Sequence, residues 1–73
     1  MIKELGKYTI NGKEAVFTAT FTKKLFQTLP VGIFSFQDGS QIQITHDILS
    51  GETTYSEEIT PNVIYANGYW DFE

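Results

Sequence analysis

An all-β fold, either a small barrel or a strongly curled antiparallel sheet of about six or seven short strands, is what this sequence predicts. Three observations carry the prediction. Two Asn-Gly pairs, Asn11-Gly12 and Asn67-Gly68, each interrupt a run in which apolar and polar residues alternate; Asn-Gly favours a two-residue β-hairpin because both central residues must take positive φ. Turn residues recur at short intervals, at Asp38-Gly39, Ser50-Gly51 and Pro61-Asn62 as well, which is the spacing of many short strands. No segment sustains apolar residues at helical spacing beyond one or two turns.

The first hairpin follows from "YTINGKEAVFTATF", residues 8–21. A two-residue Asn11-Gly12 loop pairs Ile10 with Lys13, Tyr8 with Ala15 and Gly6 with Phe17. Tyr8, Ile10, Ala15, Phe17, Ala19 and Phe21 then share one face, and Lys7, Thr9, Glu14, Thr18, Thr20 and Thr22 share the other. A slip of one residue would exchange the two sets, so the register is well specified. Phe17 and Phe21 are both expected in the core.

After Thr22 the alternation stops. In "TKKLFQTLP" the apolar residues Leu25, Phe26 and Leu29 stand at a spacing compatible with a short helical turn, which Thr22 would cap and Pro30 would end. This is the only helix expected, with an irregular crossover as the alternative.

"VGIFSFQDGSQIQIT" reads as a second hairpin. A two-residue Asp38-Gly39 loop would set Phe36 and Phe34 against Gln41 and Gln43, mixing polar with apolar on both faces. An odd loop of three or five residues keeps the faces sorted and pairs Phe36 with Ile42 and Phe34 with Ile44. "HDILSGE" is then a connection, and "TTYSEEIT" a strand in which Glu57 falls between Tyr55 and Ile59 on one face, a conflict that an edge position or a bulge relieves. Pro61-Asn62 ends it. "VIYANGYWDFE" closes the chain as another Asn-Gly hairpin, pairing Val63 with Phe72, Tyr65 with Trp70 and Ala66 with Tyr69.

A chain of 73 residues is expected to form one domain, residues 1–73, of SH3-like or OB-like size. Such a chain buries only about 60% of the surface its unfolded form exposes, and with no cysteine and a single histidine it has neither disulfides nor a Cys/His metal cage to help. Six Phe, four Tyr and one Trp are the means of building a core. "MIKELGKYTI" has no basic and then apolar signal segment, and no apolar run approaches the ~20 residues of a membrane-spanning helix. The expectation is a cytoplasmic protein without membrane contact.

Net charge is −4, and it is divided along the chain. All five lysines (Lys3, Lys7, Lys13, Lys23, Lys24) precede residue 25 beside only Glu4 and Glu14, whereas the other seven carboxylates, from Asp38 to Glu73, lie in a stretch without a base. Arginine is absent.

Candidate chemistry is sparse. His46-Asp47 with Ser50 has the residue types of a hydrolase triad, but strand neighbours point to opposite faces, and a triad needs all three groups in one cleft. Glu57 and Glu58 are adjacent and so face apart, where acid/base or metal chemistry needs convergent carboxylates. No catalytic residue, metal or cofactor is expected. A non-enzymatic protein-interaction module is the reading these residues favour.

Tyr65, Tyr69 and Trp70 on the last hairpin are the candidate aromatic contacts, with Trp70 favouring the core and Tyr69 on the exposed face. Glu57, Glu58 and Asp71 are candidate contacts for a basic partner. Lysine used without arginine suggests an AT-rich bacterial or phage genome, hence an inhibitor or accessory protein of a phage or mobile element acting on a basic host protein. The alternative is a small β-barrel that stacks single-stranded nucleic acid on its aromatics, which the lack of bases around those rings disfavours. Self-association is expected, if anywhere, through an edge strand at residues 53–60, against the repulsion of Glu57 and Glu58.

Overall fold

The computed structural model describes residues 1–73 as an all-β half-barrel. Five strands form an antiparallel meander in sequence order: β1 (Lys7–Ile10), β2 (Lys13–Lys24), β3 (Gln27–Phe36), β4 (Gln41–His46) and β5 (Thr53–Tyr55). A separate two-stranded hairpin, β6 (Val63–Ala66) and β7 (Tyr69–Phe72), packs its aromatic face into the concave side. With no helix in the structure, none is long and apolar enough to cross a membrane.

Both Asn-Gly hairpins form as predicted. Ile10 pairs with Lys13 and Tyr8 with Ala15, and Val63 pairs with Phe72 and Tyr65 with Trp70. Asn11 and Gly12 have φ of 52° and 78°, and Asn67 and Gly68 have 55° and 84°, the two left-handed residues that a type I′ turn requires. Asn11 also ties down distant chain: its side chain donates to the Glu58 carbonyl at 2.9 Å and accepts from the Thr60 amide at 2.7 Å.

Alternation then sorts the faces. Ile10, Phe17, Phe34, Ile42 and Ile44 point into the concave face and are all but fully buried, and Val63 and Trp70 close over them. Tyr8, Phe36, Tyr55, Tyr65 and Phe72 pack around this centre half-buried. Gly32 permits the close approach, since a Cβ there would lie 3.0 Å from the Phe17 ring and 3.3 Å from the Trp70 ring. The N-terminal segment bridges the two sheets: Ile2 is buried, its amide donates to the Trp70 carbonyl, and the Leu5 amide donates to the Phe17 carbonyl.

Four expectations are corrected. The helical turn at Leu25 does not exist; β2 continues to Lys24, Leu25-Phe26 is a two-residue turn, and β3 begins at Gln27 with Lys24 paired to Gln27 and Thr22 to Leu29. The ladder of Phe17 with Phe34 simply propagates, and tertiary pairing overrides a weak local spacing. The Asp38 hairpin has the odd loop, but of three residues, so Phe34 pairs with Ile42 and Gly32 with Ile44. Gly39 at φ 88° sits where a three-residue loop needs a left-handed residue, and Ser40 donates from both its amide and its hydroxyl to the Asp38 carboxylate. Those two bonds, the hydroxyl's the stronger, hold the Asp38 carboxyl below its ordinary pKa, with Lys13 adding to the effect.

The third correction concerns residues 53–60. Only Thr53–Tyr55 form a strand; the Ser56 amide and hydroxyl each make one bond to Gln43, and the chain then turns away, exposing Glu57 and Glu58 and burying Ile59. Leaving the sheet resolves the Tyr55–Glu57–Ile59 conflict. Finally, Phe21 is 65% exposed, because nothing lies over the distal half of β2.

Candidate interaction surface

Of the residues marked as contacts by the sequence, only Tyr65 and Trp70 meet. Their rings stand edge to face with centroids 5.0 Å apart, and Tyr65 also lies 5.5 Å from the His46 ring. Trp70 is core, at 4% exposed. Tyr69, on the opposite face of β7, is exposed and borders an open groove of about 380 Å³ with Met1, Ile2, Phe17, Ala19 and Trp70. Asp71 is exposed and pairs with the Met1 ammonium at 3.1 Å. Glu57 and Glu58 lie elsewhere, on the connection pinned to Asn11. The structure does not gather the six residues into one surface.

The residues with a chemical reading are likewise separated. His46 Nδ1 is 2.8 Å from Thr53 Oγ1; the Asp47 carboxylate accepts from the amides of Leu49 and Ser50; and Ser50 Oγ accepts from the Glu52 amide. Each side chain closes its own turn or strand pair, and the hydroxyl beside the imidazole is that of Thr53, not Ser50. No three His, Asp or Glu side chains cluster as a bound metal ion would need.

Sequence reasoning missed the most conspicuous surface. The β2–β3 hairpin runs beyond the part of the sheet that β6 and β7 cover, and its turn carries Leu25 at 90% exposed and Phe26 at 104%. The β4–β5 loop lies at the same end, since Thr45 pairs with Val31 near the start of β3, and it adds exposed Ile48 and Leu49. Phe21 stands just below on the concave side. Between the two loops, on the convex face, an open polar cleft of about 450 Å³ has Lys23 and Lys24 among its walls with Asp47 and Glu52, over a floor that includes Thr22 and Leu29.

Leu25 has φ 57°, a left-handed conformation that is an outlier for a bulky side chain and costs about 1 kcal/mol or more. The Phe17–Phe34 register, carried up both strands, leaves residues 25 and 26 as the loop. The turn was hidden in the sequence because neither turn position holds the glycine or asparagine that marks such turns.

The chain matches no protein-family model, no curated protein and no solved structure.

Proposed function

We propose that this chain is a non-enzymatic protein-interaction module whose contact surface is the uncovered end of the half-barrel rather than the C-terminal hairpin. The observation that carries the reading is the Leu25-Phe26 turn. Two large apolar side chains stand wholly in water on a backbone that is strained to present them. Neither folding nor solubility benefits from that arrangement, and backbone strain held against stability collects at functional sites. Ile48 and Leu49 extend the apolar end, and apolar anchors of this kind supply most of the affinity of a protein contact once desolvated.

The carboxylates of residues 38–73 add attraction for a basic partner, and the arginine-free composition suggests a phage or mobile-element setting, with an inhibitor or accessory role toward a basic host protein. The test is capture from a low-GC Gram-positive lysate with and without nuclease, using the parent, the double variant Leu25→Ser/Phe26→Ser, and Tyr69→Ala. A stoichiometric protein that survives nuclease, disappears with the double variant and persists with Tyr69→Ala is the expected result. Retention by the double variant and loss with Tyr69→Ala would return the contact to the C-terminal hairpin. Recovery that vanishes with nuclease would replace the reading with nucleic-acid binding.

A further inference from the structure

Every second residue of β2 turns its backbone N–H and C=O away from β3. Phe17 identifies the set, because its amide donates to the Gly6 carbonyl on the β1 side and its carbonyl accepts from the Leu5 amide. Beyond Phe17 the neighbouring chain ends. Glu4 turns back and places both carboxylate oxygens 3.0 Å from the Ala19 amide. The Ala19 carbonyl and both backbone groups of Phe21 and Lys23 then have no partner. Half of a twelve-residue strand is thus an open sheet edge, and an unpaired row of this kind is a template for another strand.

We propose that a second copy of this chain occupies the edge, through antiparallel β2–β2 pairing about a two-fold axis at Phe21. This goes beyond the reading above, since it concerns the edge and not the Leu25-Phe26 turn. The two-fold axis pairs the Phe21 amide and carbonyl with those of the second Phe21, and brings each Lys23 amide to the Ala19 carbonyl of the other copy, while the Ala19 amide stays with Glu4 and the ladder ends there. The aromatic rings of the two Phe21 residues meet on the concave side, and Thr20 lies opposite Thr22 on the convex side, both favourable cross-strand pairs.

Charge supports the same occupant. Lysine on an edge ordinarily deters pairing, but this arrangement carries Lys23 of each copy to Ala19 of the other, where Glu4 already sits. Opposite signs therefore meet twice, as an isologous contact requires. The β5 edge offers nothing comparable: β5 is three residues long, flanked by Glu52, Glu57 and Glu58 and by no base, so a copy of itself would be repelled.

The test is solution mass by light scattering and sedimentation, from low micromolar to millimolar protein, with amide hydrogen exchange at both ends of that range. The expected result is a twofold rise in mass with slowed exchange at the Phe21 and Lys23 amides, which have no partner within one chain. A mass that stays monomeric throughout, with both amides exchanging freely, overturns the proposal and leaves the edge to a strand of a different protein. Phe21→Pro removes both the unpaired N–H and the ring that meets its copy, and is expected to halve the mass; a dimer that persists in that variant overturns the assignment to this edge. Should Phe21→Pro fail to fold, Lys23→Glu decides: a folded monomer supports the pairing, and a folded dimer overturns it. Leu25→Ser/Phe26→Ser lies outside the paired stretch and is expected to leave the mass doubled, so loss of a heterologous partner and loss of the dimer are read separately.

Discussion

Phe17 and Phe21 share a strand and a face, yet Phe17 is 1% exposed and Phe21 65%. The proximal half of the β2–β3 ribbon has β1 along its edge and the β6–β7 hairpin across its concave side, so Phe17 packs on Phe34 at 5.0 Å and against Gly32 beneath Trp70. The distal half has neither neighbour. The same alternation of apolar and polar residues runs through both halves, so the pattern assigns a face without saying whether anything covers it. Where cover is missing, the strand carries an open edge, an exposed aromatic ring and a strained apolar turn. The proposed contacts rest on those three features.

The sharpest way to break this comparison is to truncate rings on either side of it. Phe17→Ala and Phe34→Ala should each cost about 3 to 5 kcal/mol, as buried aromatic truncations do, and a chain with so thin a core will be largely unfolded. Phe21→Ala, in dilute solution where no dimer forms, should change stability by about 0.5 kcal/mol or less. Chemical denaturation measures all three, and a Phe21→Ala loss matching that of Phe17→Ala would show that the distal half is covered after all.

Gly32→Ala tests how closely the cover sits. The added methyl meets the Phe17 and Trp70 rings at 3.0 and 3.3 Å, so a loss of about 1 to 3 kcal/mol is expected from overpacking, read as a lowered denaturation midpoint. A neutral result would mean that the C-terminal hairpin floats above the sheet. Asn11→Ala removes two bonds to residues 58 and 60 and places alanine at φ 52°, for which about 1 to 2 kcal/mol is expected. Asn67→Ala shares the backbone penalty without those bonds and should cost less. Equal losses would show that the connection over the proximal half is not held at Asn11.

Smaller effects sit at the two turns. Leu25→Gly relieves the left-handed strain of a bulky residue at φ 57° and should raise stability by up to about 1 kcal/mol, while weakening any contact made by the turn. A lower melting temperature would mean that Leu25 packs within the chain. At the other end of β3, Asp38 has its pKa lowered chiefly by the Ser40 hydroxyl, then by the Ser40 amide. A lowered folded pKa means that these bonds support the turn above the unfolded aspartate's pKa and that the support is lost as pH falls through the folded value. The Ser40 amide shift, followed by NMR, should therefore titrate at lower pH than in a denatured reference, and Ser40→Ala should move that midpoint upward.

Local chemistry in the sequence was sufficient for the all-β class, both Asn-Gly hairpins with their registers, the odd-length Asp38 loop, and the faces of β1, of β2 as far as Thr22, and of β7. Turn type and side-chain alternation are properties of a few consecutive residues, so they can be read without knowing what the strands pack against. Which sheet positions are buried is a different kind of fact. Phe21 and Phe17 look alike in sequence because their neighbours are alike, and only the place where Glu4 turns back and the β6–β7 hairpin ends separates them. The Leu25-Phe26 turn was likewise decided by tertiary structure: long-range pairing of Phe17 with Phe34 set the loop length, and that pairing outweighed the preferences of the two residues that had to make the turn.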